Sequence, residues 1–423
     1  MTLLSLQSMW DVLTSPVFMV IYIAAVVLLM IAIIVTVMVN EYRFSSFVRR
    51  VDKNGGESDE EKPREGSRFD MLTRLDGELP LMAEPEFTED VTLEEFCQNF
   101  RNFAAGKLRL YYDIGIIREF VAGLAISHII ILQGMSGTGK TSLAYAFGEF
   151  IKNPSTVIPV QPMWKDRSDL LGYYNEFTKR FNETLLLQKM YEANGRADIF
   201  ITILDEMNIA RVEYYFAEFL SLLEIPNPDA RYLDVVSDHW EDDPKEIKDG
   251  RIKLPENMWF LGTANNDDST FAISDKVYDR AMVINIDSKS DPFTVPAYRA
   301  MPISARKFRE LAADAVTERR VSAETISNLG KIDKFLSENY RISFGNRIMK
   351  QIMTYIPVYT ACGGDELDAL DDILSKKVLR KLATQNMTYR KSVLEALCNT
   401  FNEYFGEERM TRCLATVRRL ARN

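Results

Sequence analysis

Residues 17–39 are 23 consecutive positions without a charge, whereas beyond residue 85 apolar residues come in short runs closed by turns or at helical spacing. At about 1.5 Å per residue, the long run can span a hydrocarbon core of roughly 30 Å, and it predicts a transmembrane helix rather than a buried core helix. Asp11 is the single charge before it, and Arg43, Arg49, Arg50 and Lys53 follow it. That asymmetry predicts a single-pass protein of the cytoplasmic (inner) membrane, with residues 1–16 outside and the remainder in the cytoplasm. Residues 40–90 turn to Gly, Ser, Pro, Asp, Glu and Lys, the composition of a solvated, flexible linker.

The short runs carry the chemistry. Residues 128–132 are apolar, and they lead into Gly134-Met135-Ser136-Gly137-Thr138-Gly139-Lys140-Thr141 with a helical pattern starting near Ser142. A strand, a glycine-rich turn and a helix in that order make a phosphate-binding P-loop. Gly134, Ser136, Gly137, Thr138, Gly139, Lys140, Thr141 and Ser142 are therefore the candidate nucleotide-binding residues. The glycines let consecutive N–H groups point at a polyphosphate, Lys140 reaches its terminal groups, and Thr141 offers a hydroxyl to Mg2+.

Residues 199–204 form a second apolar run, and Asp205, 65 positions beyond Lys140, ends it together with Glu206. A buried parallel strand closed by two carboxylates is the Walker B pattern. Asp205 is the candidate metal residue, and Glu206 is the candidate base that orients and deprotonates an attacking water. The two could instead only cap the following helix, a weaker reading beside an intact P-loop. Hydrolysis of a nucleoside triphosphate, and not only its binding, is the expectation.

Helical spacing accounts for the rest. Patterns over 92–105 and 111–125 precede the P-loop and should wall one side of the pocket, and after Pro302 helices are expected over 304–319, 322–337, 345–360, 366–383 and 392–405. At 423 residues and 47% apolar content the chain can bury a large core. Its formal charge of −10 offers no general attraction to nucleic acid. Cys97, Cys362, Cys398 and Cys413 stand far apart, as reduced cysteines would, and His128 and His239 are too few for a zinc site. Arg412, Arg418, Arg419 and Arg422 surround an apolar stripe, a packed helix with one basic face.

Between the two phosphate-site motifs lies Trp164-Lys165-Asp166-Arg167-Ser168-Asp169-Leu170-Leu171-Gly172-Tyr173-Tyr174. This segment, with Leu204-Asp205-Glu206-Met207-Asn208, resembles the McrB-type branch of the AAA+ ATPases over about residues 92–420. The resemblance implies an α/β fold: a three-layer α/β/α core over 91–300 and an all-α lid over 301–423. It also implies further site residues. Asn265, ending the strand over 258–265, corresponds to sensor 1, with Asn266 as the fallback. Arg280 corresponds to an arginine finger that completes a neighbour's site, which requires a homo-oligomeric ring, a hexamer by resemblance. Arg347 corresponds to sensor 2.

The sequence also departs from that branch. Ala264-Asn265-Asn266-Asp267-Asp268-Ser269 lacks the arginine of the GTPases' signature, so ATP is favoured over GTP, with Mg2+ as the metal. Residues 227–254, inserted before the sensor strand, read as a solvated loop. The combined expectation is a membrane-anchored motor that remodels or activates a partner, in a bacterial defence system with a separately encoded McrC-like effector. The alternatives are a MoxR-like chaperone maturing a membrane-associated complex and a nucleotide-gated scaffold or switch.

Overall fold

The computed structural model describes residues 66–423 except 84, 266–269, 385–390 and 422–423. The segment at 17–39, the residues before it and the linker up to 65 lie outside the described residues, as do Asn266 and Arg422. Among the described residues no helix is long and apolar enough to cross a membrane.

The apolar runs become a five-stranded parallel sheet. Its strands are β1 (Ile129–Gly134), β2 (Thr156–Pro159), β5 (Phe200–Asp205), β9 (Met258–Asn265) and β10 (Met282–Asn285), in the order β10-β1-β9-β5-β2. Both faces are covered, which is why these strands read as unbroken hydrophobic runs. Ile130, Leu132, Ile201, Ile203, Leu261 and Ile284 face one cluster, and Ile129, Ile131, Phe200, Leu204, Phe260 and Val283 face another. Crossovers place the ends of β1, β5 and β9 side by side, with Gly134 opposite Asn265 and Leu204 opposite Gly262.

The helices that support this edge begin where local chemistry dictates. We label helices of eight or more residues α1 (Asp70–Glu78), α2 (Leu93–Leu108), α3 (Ile114–Ile126), α4 (Lys140–Phe150) and α5 (Leu185–Asn194). Thr92 and Glu95 close a reciprocal capping box on α2, and Asp113 caps α3 through the N–H of Gly115 at 2.7 Å. Phe100 of α2, Phe120 of α3 and Phe147 and Phe150 of α4 pack ring against ring under the sheet, with centroids 5.0–6.4 Å apart.

Two regions expected to be solvated are folded. Of the linker expected over 40–90, the part the structure describes is folded: Arg68 and Phe69 are buried, and α1 follows them. The insertion at 227–254 is not a loop but contains a three-stranded antiparallel sheet, β6 (Tyr232–Asp234), β7 (Ile247–Lys248) and β8 (Arg251–Lys253), in the order β6-β8-β7. The two regions hold each other. Arg68 makes a bidentate pair with Asp243 (3.0 and 2.8 Å), reaches Asp238 at 2.7 Å, and stacks 4.5 Å from the Trp240 ring. The Asp243 side chain is fully buried, so removing its partner strands a charge in low dielectric. Arg68→Met should therefore lower unfolding free energy by about 3–5 kcal/mol, and Arg68→Met with Asp243→Leu should recover much of it. Denaturant titrations of the two variants check this, and equal stability of the single variant and the parent would exclude it.

After β10 the chain runs extended back across α4. Met301 donates to the Phe150 carbonyl (2.9 Å), and Ala305 to that of Ala197 (3.0 Å), just ahead of β5. The helical region thus starts at the N-terminal edge of the sheet, with α6 (Ala305–Glu318), α7 (Ala323–Tyr340), α8 (Asn346–Ala361), α9 (Glu366–Leu374), α10 (Lys391–Phe405) and α11 (Thr411–Leu420). The single helix expected over 366–383 is interrupted: a π-helical turn, Ser375–Leu379, separates α9 from the short helix Arg380–Thr384. This segment meets α3 through buried ions. Glu119 of α3 accepts from Lys376 (2.7 Å) and Arg412 (2.6 Å), and Lys376 also reaches Asp372 (2.6 Å), which accepts from the Tyr355 hydroxyl. Arg412 is therefore a partner in this network and not part of a free basic face.

Candidate nucleotide site

The turn from β1 to α4 has the conformation its glycines allow. Gly137 and Gly139 adopt left-handed backbone angles, φ 79° and 100°, and a Cβ on Gly134 would come within 2.2 Å of the Ile286 carbonyl oxygen. Ser136 and Gly137 are exposed, and Thr141 and Ser142 lie half-buried in the first turn of α4. The free N–H groups of that turn and its dipole favour an anion. Thr138 donates to the Met135 carbonyl at 2.9 Å. Lys140 is buried, and its Nζ donates to the carbonyls of Gly134 (3.0 Å) and Met135 (2.7 Å), an ammonium held over the loop that a polyphosphate would occupy. Tyr112, between α2 and α3, donates to the Gly139 carbonyl at 3.0 Å, and burial raises its hydroxyl pKa well above the ordinary value.

The carboxylates at the end of β5 are tied to this loop by a chain of hydroxyls. Thr141 Oγ1 and Thr263 Oγ1 both lie 2.9 Å from Asp205 Oδ1, and the backbone N–H of Glu206 donates to Thr263 Oγ1 at 2.8 Å. One hydroxyl and one carboxylate oxygen, adjacent and hard, suit Mg2+, which holds a few protein oxygens and otherwise keeps water and phosphate ligands. Thr141 and Asp205 would hold the metal. Glu206 is exposed and stands at φ 52°, a left-handed angle that a residue with a side chain adopts at a cost of order 1–3 kcal/mol. Asn265 ends β9 beside Gly134, and Asn208 Nδ2 donates to the Asn265 carbonyl (3.1 Å) and to Thr270 Oγ1 (2.9 Å). Thr263 was not expected in the site, since a threonine inside an apolar strand has no pattern that marks it as polar support, and Asn208 stood in the quoted motif without a role.

The P-loop, Asp205, Glu206 and Asn265 thus converge at the C-terminal ends of the strands. A cleft of about 1100 Å³ continues from there, lined by Gln133, Asn265 and Asn285 and by Lys376, Arg380 and Arg412 from the helical region. Arg280 and Arg347 lie elsewhere. Arg280 precedes β10, its Nε is 2.8 Å from Glu224 Oε1, and Arg347 pairs with the same oxygen. Both line a cavity of about 540 Å³ with His128, at the start of β1. At about 3.3 Å per residue, β1 separates that end from the P-loop by roughly 17 Å. Arg347, the expected sensor 2, thus lies at the end of β1 opposite its own chain's phosphate loop.

His128 stacks on Trp259 (centroids 4.8 Å apart), with Nδ1 3.1 Å from the Met258 carbonyl. Burial lowers its pKa from 6.5 to about 4. Between those values the unfolded chain binds more protons than the folded one, so stability is complete above pH 6.5 and falls towards pH 4, by about 3 kcal/mol at most. His128→Phe keeps the ring stack without the titration. Its stability relative to the parent should rise by that amount from pH 7 to pH 4 in denaturant titrations, and parallel profiles would contradict the assignment.

Residues 129–281 match the family model of the AAA domain, dynein-related subfamily. Residues 296–423 match a domain of unknown function, DUF8727. No curated protein matches the chain. Among solved structures, a proposed ATPase from Cytophaga hutchinsonii ATCC 33406 shares 13% identity and a TM-score of 0.48, covering 73% of this chain and 96% of its own. A full-length MCM homolog from Methanopyrus kandleri shares 12% identity and a TM-score of 0.37, covering 66% of this chain and 58% of its own. The matched segment contains every strand of the parallel sheet except β10, with both phosphate-site motifs.

Proposed function

We propose that this protein is a membrane-anchored, ring-forming AAA+ ATPase that couples hydrolysis to the remodelling or activation of a protein partner. The observation that carries the reading is the hydroxyl chain from Thr141 through Asp205 and Thr263 to the backbone of Glu206, which joins the P-loop to the candidate base. When bound, ATP with Mg2+ supplies the electrophilic phosphorus and its charge neutralisation. The P-loop N–H groups and Lys140 bind the phosphates, Thr141 and Asp205 orient the metal, Glu206 takes a proton from water, and Asn265 positions that water.

The distance of Arg280 from its own P-loop supports a finger that acts in a neighbour's site, hence a ring, and Arg347 beside it would act across the same interface. ATP is preferred over GTP because the GTPases' arginine is absent after Asn265. A work-performing surface is offered by the hairpin of β3 (Gly172–Asn175) and β4 (Arg180–Glu183), whose tip carries Phe177 with 97% of its surface exposed. The anchor is the apolar segment 17–39.

Within this reading a McrB-like defence role, with a separately encoded effector, stands beside a MoxR-like chaperone. The membrane-length segment ahead of the motor favours a client at the membrane in either case. Turnover of ATP and GTP, with and without duplex DNA and with membrane proteins that co-purify, tests the reading. ATP turnover accelerated by one co-purifying membrane protein supports it, and an absence of turnover under all of these conditions overturns it.

A further inference from the structure

The carbonyls of Tyr278, Asp279, Arg280 and Ala281, four in a row around the candidate finger, all accept hydrogen bonds from distant parts of the chain. Ser127 Oγ donates to that of Arg280 at 2.8 Å. Lys377 Nζ donates to the other three, at 2.9 Å for Tyr278 and 3.4 Å for Asp279, with its closest approach at Ala281. Lys377 belongs to the π-helical turn of the helical region, and its side chain is buried. Next to it, Arg380 donates to Asp275 (2.8 Å) with its guanidinium 4.0 Å from the Tyr278 ring, and Lys381 pairs with Asp279 (3.1 Å). One turn of the helical region therefore grips the segment that carries Arg280, while the preceding Lys376 holds Glu119 and Asp372.

We propose that Lys377 is a positioning residue: it transmits the placement of the helical region to Arg280, and so sets the finger that completes the neighbouring subunit's site. This rests on the reading of Arg280 as a finger in trans. A single ammonium over three carbonyls at the end of a one-turn helix fixes both the end of that helix and the exit of the chain into β10. The π turn supplies the geometry, since it lets adjacent lysines enter two separate sites. A shift of the helical region on nucleotide binding in one subunit would move the finger presented to the next.

The test compares steady-state ATP turnover of full-length Lys377→Met, Arg280→Ala and the double variant, with ring assembly and melting temperature recorded for each. Lys377→Met should assemble and keep its KM while kcat falls by about 10–10²-fold, Arg280→Ala should lose about 10³-fold, and the double should match Arg280→Ala alone. A double variant well below Arg280→Ala, or a raised KM with unchanged kcat in Lys377→Met, would overturn the positioning role. Undiminished turnover in Arg280→Ala would instead overturn the finger itself. Should Lys377→Met fail to fold, the half-buried pair Lys381–Asp279 decides: Lys381→Glu should lower kcat at unchanged KM and Asp279→Lys should restore it, and wild-type kcat in Lys381→Glu would count against transmission through this turn.

Discussion

Glu206→Gln will bind ATP with the parent's affinity and turn it over about 10²–10⁴-fold more slowly, the range a positioned general base contributes. The substitution keeps the shape of the side chain and removes only its ability to accept a proton. The backbone should not move, because the left-handed angle of residue 206 is held by its own N–H on Thr263 and not by its side chain. The same variant should accumulate as a nucleotide-loaded ring. A fluorescent-nucleotide titration and a phosphate-release assay, run on one preparation, separate the two effects. Lost affinity would make Glu206 a binding residue, and unchanged turnover would remove it as the base.

Arg280→Ala should lower turnover by about 10³-fold while ATP binding persists, since a guanidinium supplied to the transferring phosphoryl group is worth at least that much. Geometry sharpens the expectation. Arg280 sits at the opposite end of the sheet from its own P-loop, so the loss belongs to the neighbour. Mixing Arg280→Ala with Lys140→Ala subunits should therefore restore activity, because some interfaces then pair an intact Lys140 with an intact Arg280. Rings that form from the mixture yet stay inactive would exclude a finger in trans. Within the chain Arg280 and Arg347 share the single carboxylate of Glu224, so engagement of Arg280 with a neighbour requires its release from Glu224.

The sequence made the phosphate site legible because its parts are local. Strand, glycine turn and helix are contiguous from 129 to 150, and both the loop chemistry and the carboxylates after β5 are read within a few residues. β1, β5 and β9 were legible as apolar runs because both their faces are buried, whereas β2 and β10, four residues each, gave no such run. What pairs residues across the chain was not. Lys376 and Glu119 are 257 positions apart, and Arg68 and Asp243 are 175 apart, so no periodicity joins them. The strands of the insertion have two or three residues each, too few for an alternation to show. Nor did any motif show the extended return of residues 287–304, which starts the helical region at the other end of the sheet and sets where Arg347 lies.

The central claim is that the hydroxyl and carboxylate chain at the P-loop hydrolyses ATP. Its most direct test is the steady-state turnover of purified protein with ATP and with GTP, parent against Glu206→Gln, with particle mass measured by light scattering in the same samples. The account predicts ATP-preferring, Glu206-dependent hydrolysis by a ring-sized particle. A particle of monomer mass, or hydrolysis that Glu206→Gln leaves untouched, would contradict it.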